Sequence, residues 1–229
     1  MATFTAGDLT LRPVAVVRIL GIDPGTLVVG YGCLELTAAG APSTGGVASS
    51  EVPIALRGSN VVRAGAAGGG VRLVAAGVLR LGTQRQQLTH RLLSLASQFA
   101  ELLRAFTPDE VALEEAFYGK SVQAALRIGE ARGVVLAESA RSGLDVHQFA
   151  PARVKRCVTG YGASRKQSVA SMLRQLIPEG GALLGDDLPE DASDAVAVAW
   201  TRLEERRSPM LAVPRPSRGR AQRRASDAT

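Results

Sequence analysis

Short, nearly continuous apolar runs alternate along the chain with longer amphipathic stretches, the pattern of an α/β protein. The first run, Val14 to Ile22, is broken only by Arg18 and ends in Asp23-Pro24-Gly25. It predicts a strand buried on both faces, from about Val14 to Asp23, closed by a tight turn. Further strands are expected at Gly30 to Leu36 and Val71 to Leu81. From Thr83 to Phe106 the apolar positions Leu88, Leu92, Leu95, Phe99, Leu102 and Phe106 recur at steps of four and three. That spacing lays one apolar stripe along an amphipathic helix, which Thr107-Pro108 ends.

Val111 to Leu113 then reads as a short buried strand with Glu114 and Glu115 at its tip. Successive strand side chains face opposite ways, so at most one of the two acids can join Asp23 in a site. A helix from Ser121 to Ser142 follows, rich in small residues that allow another element close approach, and then a short strand from Leu144 to Phe149. Pro151 marks a helix start, and two helical pieces flank the turn Gly160-Tyr161-Gly162. The last helix is expected from Glu190 to Glu205, placing Asp191 and Asp194 on one face of its first turn.

Composition changes this picture at three places. Residues 1–13 read as an N-terminal extension lacking the features of a secretory signal. Ala38 to Gly70 is crowded with Gly, Ala and Ser and reads as an insertion in a domain spanning 14–205. Residues 206–229 hold seven arginines and one aspartate in a Pro- and Ser-rich context. That segment is expected to be disordered and suits phosphate binding or simple solubilisation. It accounts for the whole net charge of +6, so the remaining chain is neutral on balance. Two cysteines, Cys33 and Cys157, are too few for a disulfide or metal framework and suggest a reducing compartment. No apolar run approaches a membrane span, and the expectation is a soluble cytoplasmic protein.

The candidate chemistry lies in the acids. A carboxylate at the tip of a buried strand loses hydration and needs a cation or donors, although Asp-Pro-Gly is equally an ordinary turn. Asp191 and Asp194 read as ligands or as N-terminal capping groups. Neither His90 nor His147 is placed to act as a base. Four converging carboxylates without an evident nucleophile point to hard cations, Mg²⁺ or Mn²⁺, and to two-metal phosphodiester chemistry. Five basic residues fall within 151–168, and two of the chain's three lysines, Lys155 and Lys166, are among them. They are suited to binding phosphate and offsetting charge in the transition state.

The segments GIDPGTLVVGYG, ALEEAF followed by Gly119-Lys120, GEARGVV, RVKRCVTGYGASRKQSV and DASDAVAVA, in this order and spacing, resemble those of bacterial RuvC-type Holliday-junction resolvases. The resemblance implies an RNase H-like fold, a mixed five-stranded sheet with helices on both faces. It also implies a homodimer that nicks a four-way DNA junction symmetrically, leaving 5′-phosphate and 3′-hydroxyl ends, in recombination and repair. A branch-migration complex is a further partner of that setting. The family's catalytic acids, which hold two Mg²⁺ or Mn²⁺ ions per site, fall on Asp23, Glu114, Asp191 and Asp194. Its functional lysines fall on Lys155 and Lys166, with Lys166 counted as catalytic. Its junction-intruding aromatic falls on Phe117, and Tyr118, Lys120, Arg156 and Arg165 are expected to contact DNA. Two other classes compete: an actin- or sugar-kinase-type nucleotide module, because Asp-x-Gly-Thr after a strand opens that phosphate loop, and a non-catalytic junction-binding protein.

Overall fold

A computed structural model describes residues 16–37, 70–115, 122–177, 184–185 and 187–208. Five strands form one sheet: β1 (Val17–Pro24), β2 (Val28–Leu36), β3 (Val71–Arg80), β4 (Glu110–Glu114) and β5 (Asp145–Phe149). Their order is β3-β2-β1-β4-β5, with β1, β2 and β3 antiparallel and β4 and β5 added parallel to β1. The helices are α1 (Leu88–Phe106), α2 (Val122–Arg141), α3 (Pro151–Thr159), α4 (Lys166–Leu176) and α5 (Glu190–Arg207). The mixed five-stranded sheet flanked by helices is the fold class that the motifs implied.

Strand alternation sorts the core onto two faces. Leu20, Ile22, Val29, Tyr31 and Leu79 pack under α1 and α2, against Leu95, Phe99, Phe106 and Val135. Ile19, Leu34, Leu73 and Ala112 face the other way, against Val196, Ala199, Trp200 and Leu203 of α5, with α3 and α4 closing over them. Arg18, the odd residue in the apolar run, pairs across the ladder with Glu35 at 2.8 Å, and Arg72 takes the other carboxylate oxygen at 2.8 Å. A carboxylate buried as completely as Glu35 survives there only because two guanidinium groups share it.

Several boundaries differ from expectation. Helix α1 begins at Leu88 rather than Thr83, because Gly82 takes φ +119° and the Thr83 amide donates to the Gln86 side chain in a turn. Strand β2 starts two residues earlier than Gly30, continuing the hairpin from β1. Helix α5 runs on to Arg207, past the expected Glu205, and Arg206 pairs with Glu110. The expected N-terminal extension, most of the insertion (38–69) and residues 209–229 of the tail lie outside the described residues.

Glycines on one sheet face set the position of α5. A Cβ on Gly21 would lie 2.1 Å from the Ala195 carbonyl oxygen, and one on Gly30 would lie 1.9 Å from that of Asp191. Only a residue without a side chain lets the helix backbone sit so close. The far end of α5 is fixed by Arg202, whose guanidinium donates to both oxygens of Glu110, at 2.6 and 3.1 Å, at the start of β4.

Candidate active site

Strands β1 and β4 run side by side with Ile22 opposite Leu113, so the next residues, Asp23 and Glu114, are neighbours at the same end of the sheet. Gly21 and Ala112, two residues earlier on each strand, face α5, so Asp23 and Glu114 face α5 as well. Their side chains hydrogen-bond to each other. Glu115 lies on the opposite face, where its charge acts on Arg132 of α2, and its amide donates to the Phe149 carbonyl at 2.8 Å.

Helix α5 brings its first two turns over the same point. Gly30 pairs with Asp23 across the hairpin, and the glycine gap seats the Asp191 backbone directly above it. Asp191 lies in the first turn of α5 with Glu190; Asp194 falls one turn further in than expected. Neither aspartate caps the helix, whose N-cap is Pro189 without a side-chain cap bond. The capping explanation is thereby excluded for both. Lys166, at the start of α4, donates from Nζ to Asp194 Oδ2 at 2.5 Å and lies 3.9 Å from Glu190. It is delivered there by the α3–α4 turn, in which Gly160 takes φ +81° and Thr159 Oγ1 lies 2.7 Å from Ser164 Oγ.

The electrostatics follow from this crowding. Burial, and then the charges of Glu114, Asp194 and Asp191, push the Asp23 carboxyl up to about 9. Burial also raises Glu114, against the hydrogen bond from Asp23 and the charges of Lys166 and Lys155, and it raises Asp191. Lys166 is raised: burial works against its charge, but the Asp194 contact and the charges of Asp194, Asp23 and Glu190 outweigh it. At neutral pH the Asp23–Glu114 pair therefore keeps a proton between two carboxylates, which is how a buried cluster of acids lowers its charge when no cation is shared. Among the described residues no three acids, histidines or cysteines are drawn into a ready coordination shell, and Lys166 supplies the positive charge beside Asp194.

Asp23, Glu114, Asp191 and Asp194 thus lie near enough for their charges to act on Asp23, with Lys166 paired to Asp194 and the charge of Lys155 acting on Glu114. Arg156 of α3 and Arg165, the N-cap of α4, are exposed and unpaired among the described residues. Phe117, Tyr118 and Lys120 lie outside the described residues. Two groups near the site escaped the sequence reading. Tyr161, 68% exposed in the α3–α4 turn, offers an aromatic ring among the basic residues, and its Gly-Tyr-Gly setting was a usable signal. Arg132, bonded to Gln148 and set beside Glu115 and Glu114, left no local signal because its contacts come from distant strands.

Comparison with known proteins places these features in one lineage. The family described as crossover junction endodeoxyribonuclease RuvC matches residues 54–202, a span that includes Glu114, Lys155, Lys166, Asp191 and Asp194. Asp23 lies ahead of that span. Proteins named crossover junction endodeoxyribonuclease RuvC are similar over most of their length. The one from Heliobacterium modesticaldum is 34% identical over 79% of this chain and 90% of its own. That from a Roseiflexus species is 35% identical over 80% and 88%. A solved structure of T. thermophilus RuvC in complex with Holliday junction substrate superposes with a TM-score of 0.62 at 26% identity, covering 83% of this chain and 95% of that one. The yeast mitochondrial Holliday junction resolvase Ydc2 shares the fold at a TM-score of 0.51 and 16% identity.

Proposed function

The chain belongs to the RuvC family of crossover junction endodeoxyribonucleases, and on that footing we propose that it cleaves four-way DNA junctions at the Asp23–Glu114–Asp191–Asp194 cluster. The observation that carries this is the placement of Asp23 and Glu114 side by side at one end of the sheet, beneath the first turns of α5 that bear Asp191 and Asp194, where burial and these acids raise the Asp23 carboxyl. The donor set is all oxygen, which fits Mg²⁺ or Mn²⁺, two per site, held by these four acids. Ions bound there would polarise the scissile phosphodiester and activate the attacking water, leaving 5′-phosphate and 3′-hydroxyl ends.

The chain's own residues do the rest. Asp23 and Glu114 give up their shared proton when the cluster takes on positive charge. Lys166, now tied to Asp194, is placed to turn to a phosphate oxygen, and Lys155 adds a second cation close enough to act on Glu114. Arg156 and Arg165 extend this basic side toward the DNA backbone; Phe117 is assigned to the junction centre, and Tyr118 and Lys120 to DNA contact. Substituting Asp23→Asn should leave junction binding intact and abolish nicking in Mg²⁺; a mutant that cuts at the wild-type rate removes Asp23 from the site.

Symmetric nicking requires two sites, and α2 offers the surface for a homodimer. Val122 and Leu126 are exposed on it at 54% and 64%, and Cβ atoms built on Gly129 and Gly133 would meet nothing within 4 Å. A partner helix can approach closely along such a stripe. Gly133→Leu is expected to give a folded monomer by light scattering; an unchanged mass would place the interface elsewhere. No described helix is long and apolar enough to cross a membrane, and we assign the protein to the cytoplasm, where a branch-migration complex would deliver its junctions.

A further inference from the structure

Among the described residues, the basic groups assigned so far, Lys155, Arg156, Arg165 and Lys166, belong to α3 and the start of α4. The other side of the sheet end that bears the acids is also basic. The β1–β2 turn, the end of β3 and the start of α1 meet there: the Leu81 amide donates to the Leu27 carbonyl at 2.9 Å, and Arg91 Nη1 donates to the Thr26 carbonyl at 3.0 Å. Arg80, Arg85 and His90 are exposed around that junction, and none has an acid or an acceptor for its side chain among the described residues. No acidic residue occurs between Val52 and Ala100. Helix α1 adds to the positive field: its first turn has no acid, and its N-cap, Gln87, makes no side-chain cap bond.

We propose that Arg80, Arg85, His90 and Arg91 form a second phosphate-binding track, which grips the DNA backbone on the side of the cleavage site opposite Lys155 and Lys166. Position supports it. Thr26 is exposed and three residues from Asp23, so the track begins within about 11 Å of the acids. A duplex carries one phosphate per about 3.4 Å of axis along each strand, so that distance spans only a few phosphates. Arg91 fixes the turn, and its Nε, buried without a partner, leaves it oriented by the Thr26 contact alone. Arg80 and Arg85 are the free cations. The track holds backbone and reads no base, so it adds affinity at every sequence and leaves the choice of cleavage position to the site itself.

The inference rests on the junction reading above. The test is binding of a synthetic four-way junction in EDTA across 50–200 mM salt by the full-length protein. The double variant Arg80→Gln/Arg85→Gln should lower the slope of log affinity against log salt by about two, about one for each arginine. Arg104→Gln/Arg141→Gln, at the opposite end of α1 and α2, removes the same charge and should leave the slope unchanged. A wild-type slope in the first variant overturns the track and spares the junction reading, as does an equal loss in both variants. Failure of the wild-type protein to bind the junction overturns both.

Discussion

Asp23 concentrates the chemistry of this protein in one side chain. Its ordinary carboxyl value is near 3.8, and the fold raises it to about 9. A raised acid favours its neutral form in the folded state, so its contribution is fully present below the unfolded value and is lost as pH climbs toward the folded one. The protein without divalent ions should therefore lose stability from about pH 4 to pH 9, and Asp23→Asn should flatten that decline in a thermal melt series. The same substitution is expected to stabilise the ion-free protein by on the order of 1 kcal/mol at pH 8. Steeper loss in the mutant would mean that another group carries the effect. Sequence pattern went far at this scale: the position of each acid at the tip of a strand or the start of a helix was legible from burial period alone. The shared proton was not, because it depends on distances among segments far apart in the chain.

Helix α5 decides whether the acids meet. Its first turns rest on the β1–β2 ladder only because Gly21 and Gly30 present no side chains. Gly21→Ala places a methyl group against the Ala195 carbonyl and should cost about 1–3 kcal/mol while lifting the helix from the sheet. We expect cleavage to fall by more than junction affinity, since the displaced acids serve chemistry rather than grip; an equal fall in both would contradict this. The elements themselves were largely readable, since the stripe of α1 and the alternating faces of β1 and β4 follow from hydrophobic period. Their ends were less so. The late start of α1 at Leu88 depends on a Gln86 side-chain bond, whereas the start of α5 at Glu190 fell where the sequence placed it.

The whole molecule combines a neutral body with a basic terminus, and the two are expected to act differently. Truncation after Ser208 should flatten the salt dependence of junction binding and leave the mapped nick positions unchanged. A truncated protein with the full salt slope would show that the tail has no part in DNA binding. What the sequence could not convey at this scale was the side of the sheet on which each cation falls. Arg80 and Arg85 belong to the far side of the site only because β3 and α1 fold back to the β1–β2 turn.

The Arg202–Glu110 contact has a further consequence. From Arg202 back to Asp194 the helix rises about 12 Å over eight residues, and from Glu110 to Glu114 the strand advances about 13 Å over four. The two segments work as matched arms of a calliper, hinged at one end and closed on the acids at the other. Lengthening either arm by a single residue would swing Asp194 about 100° around its axis or turn Glu114 to the opposite side of the sheet. The lengths of these two spans are therefore fixed by the geometry of the acids they bring together.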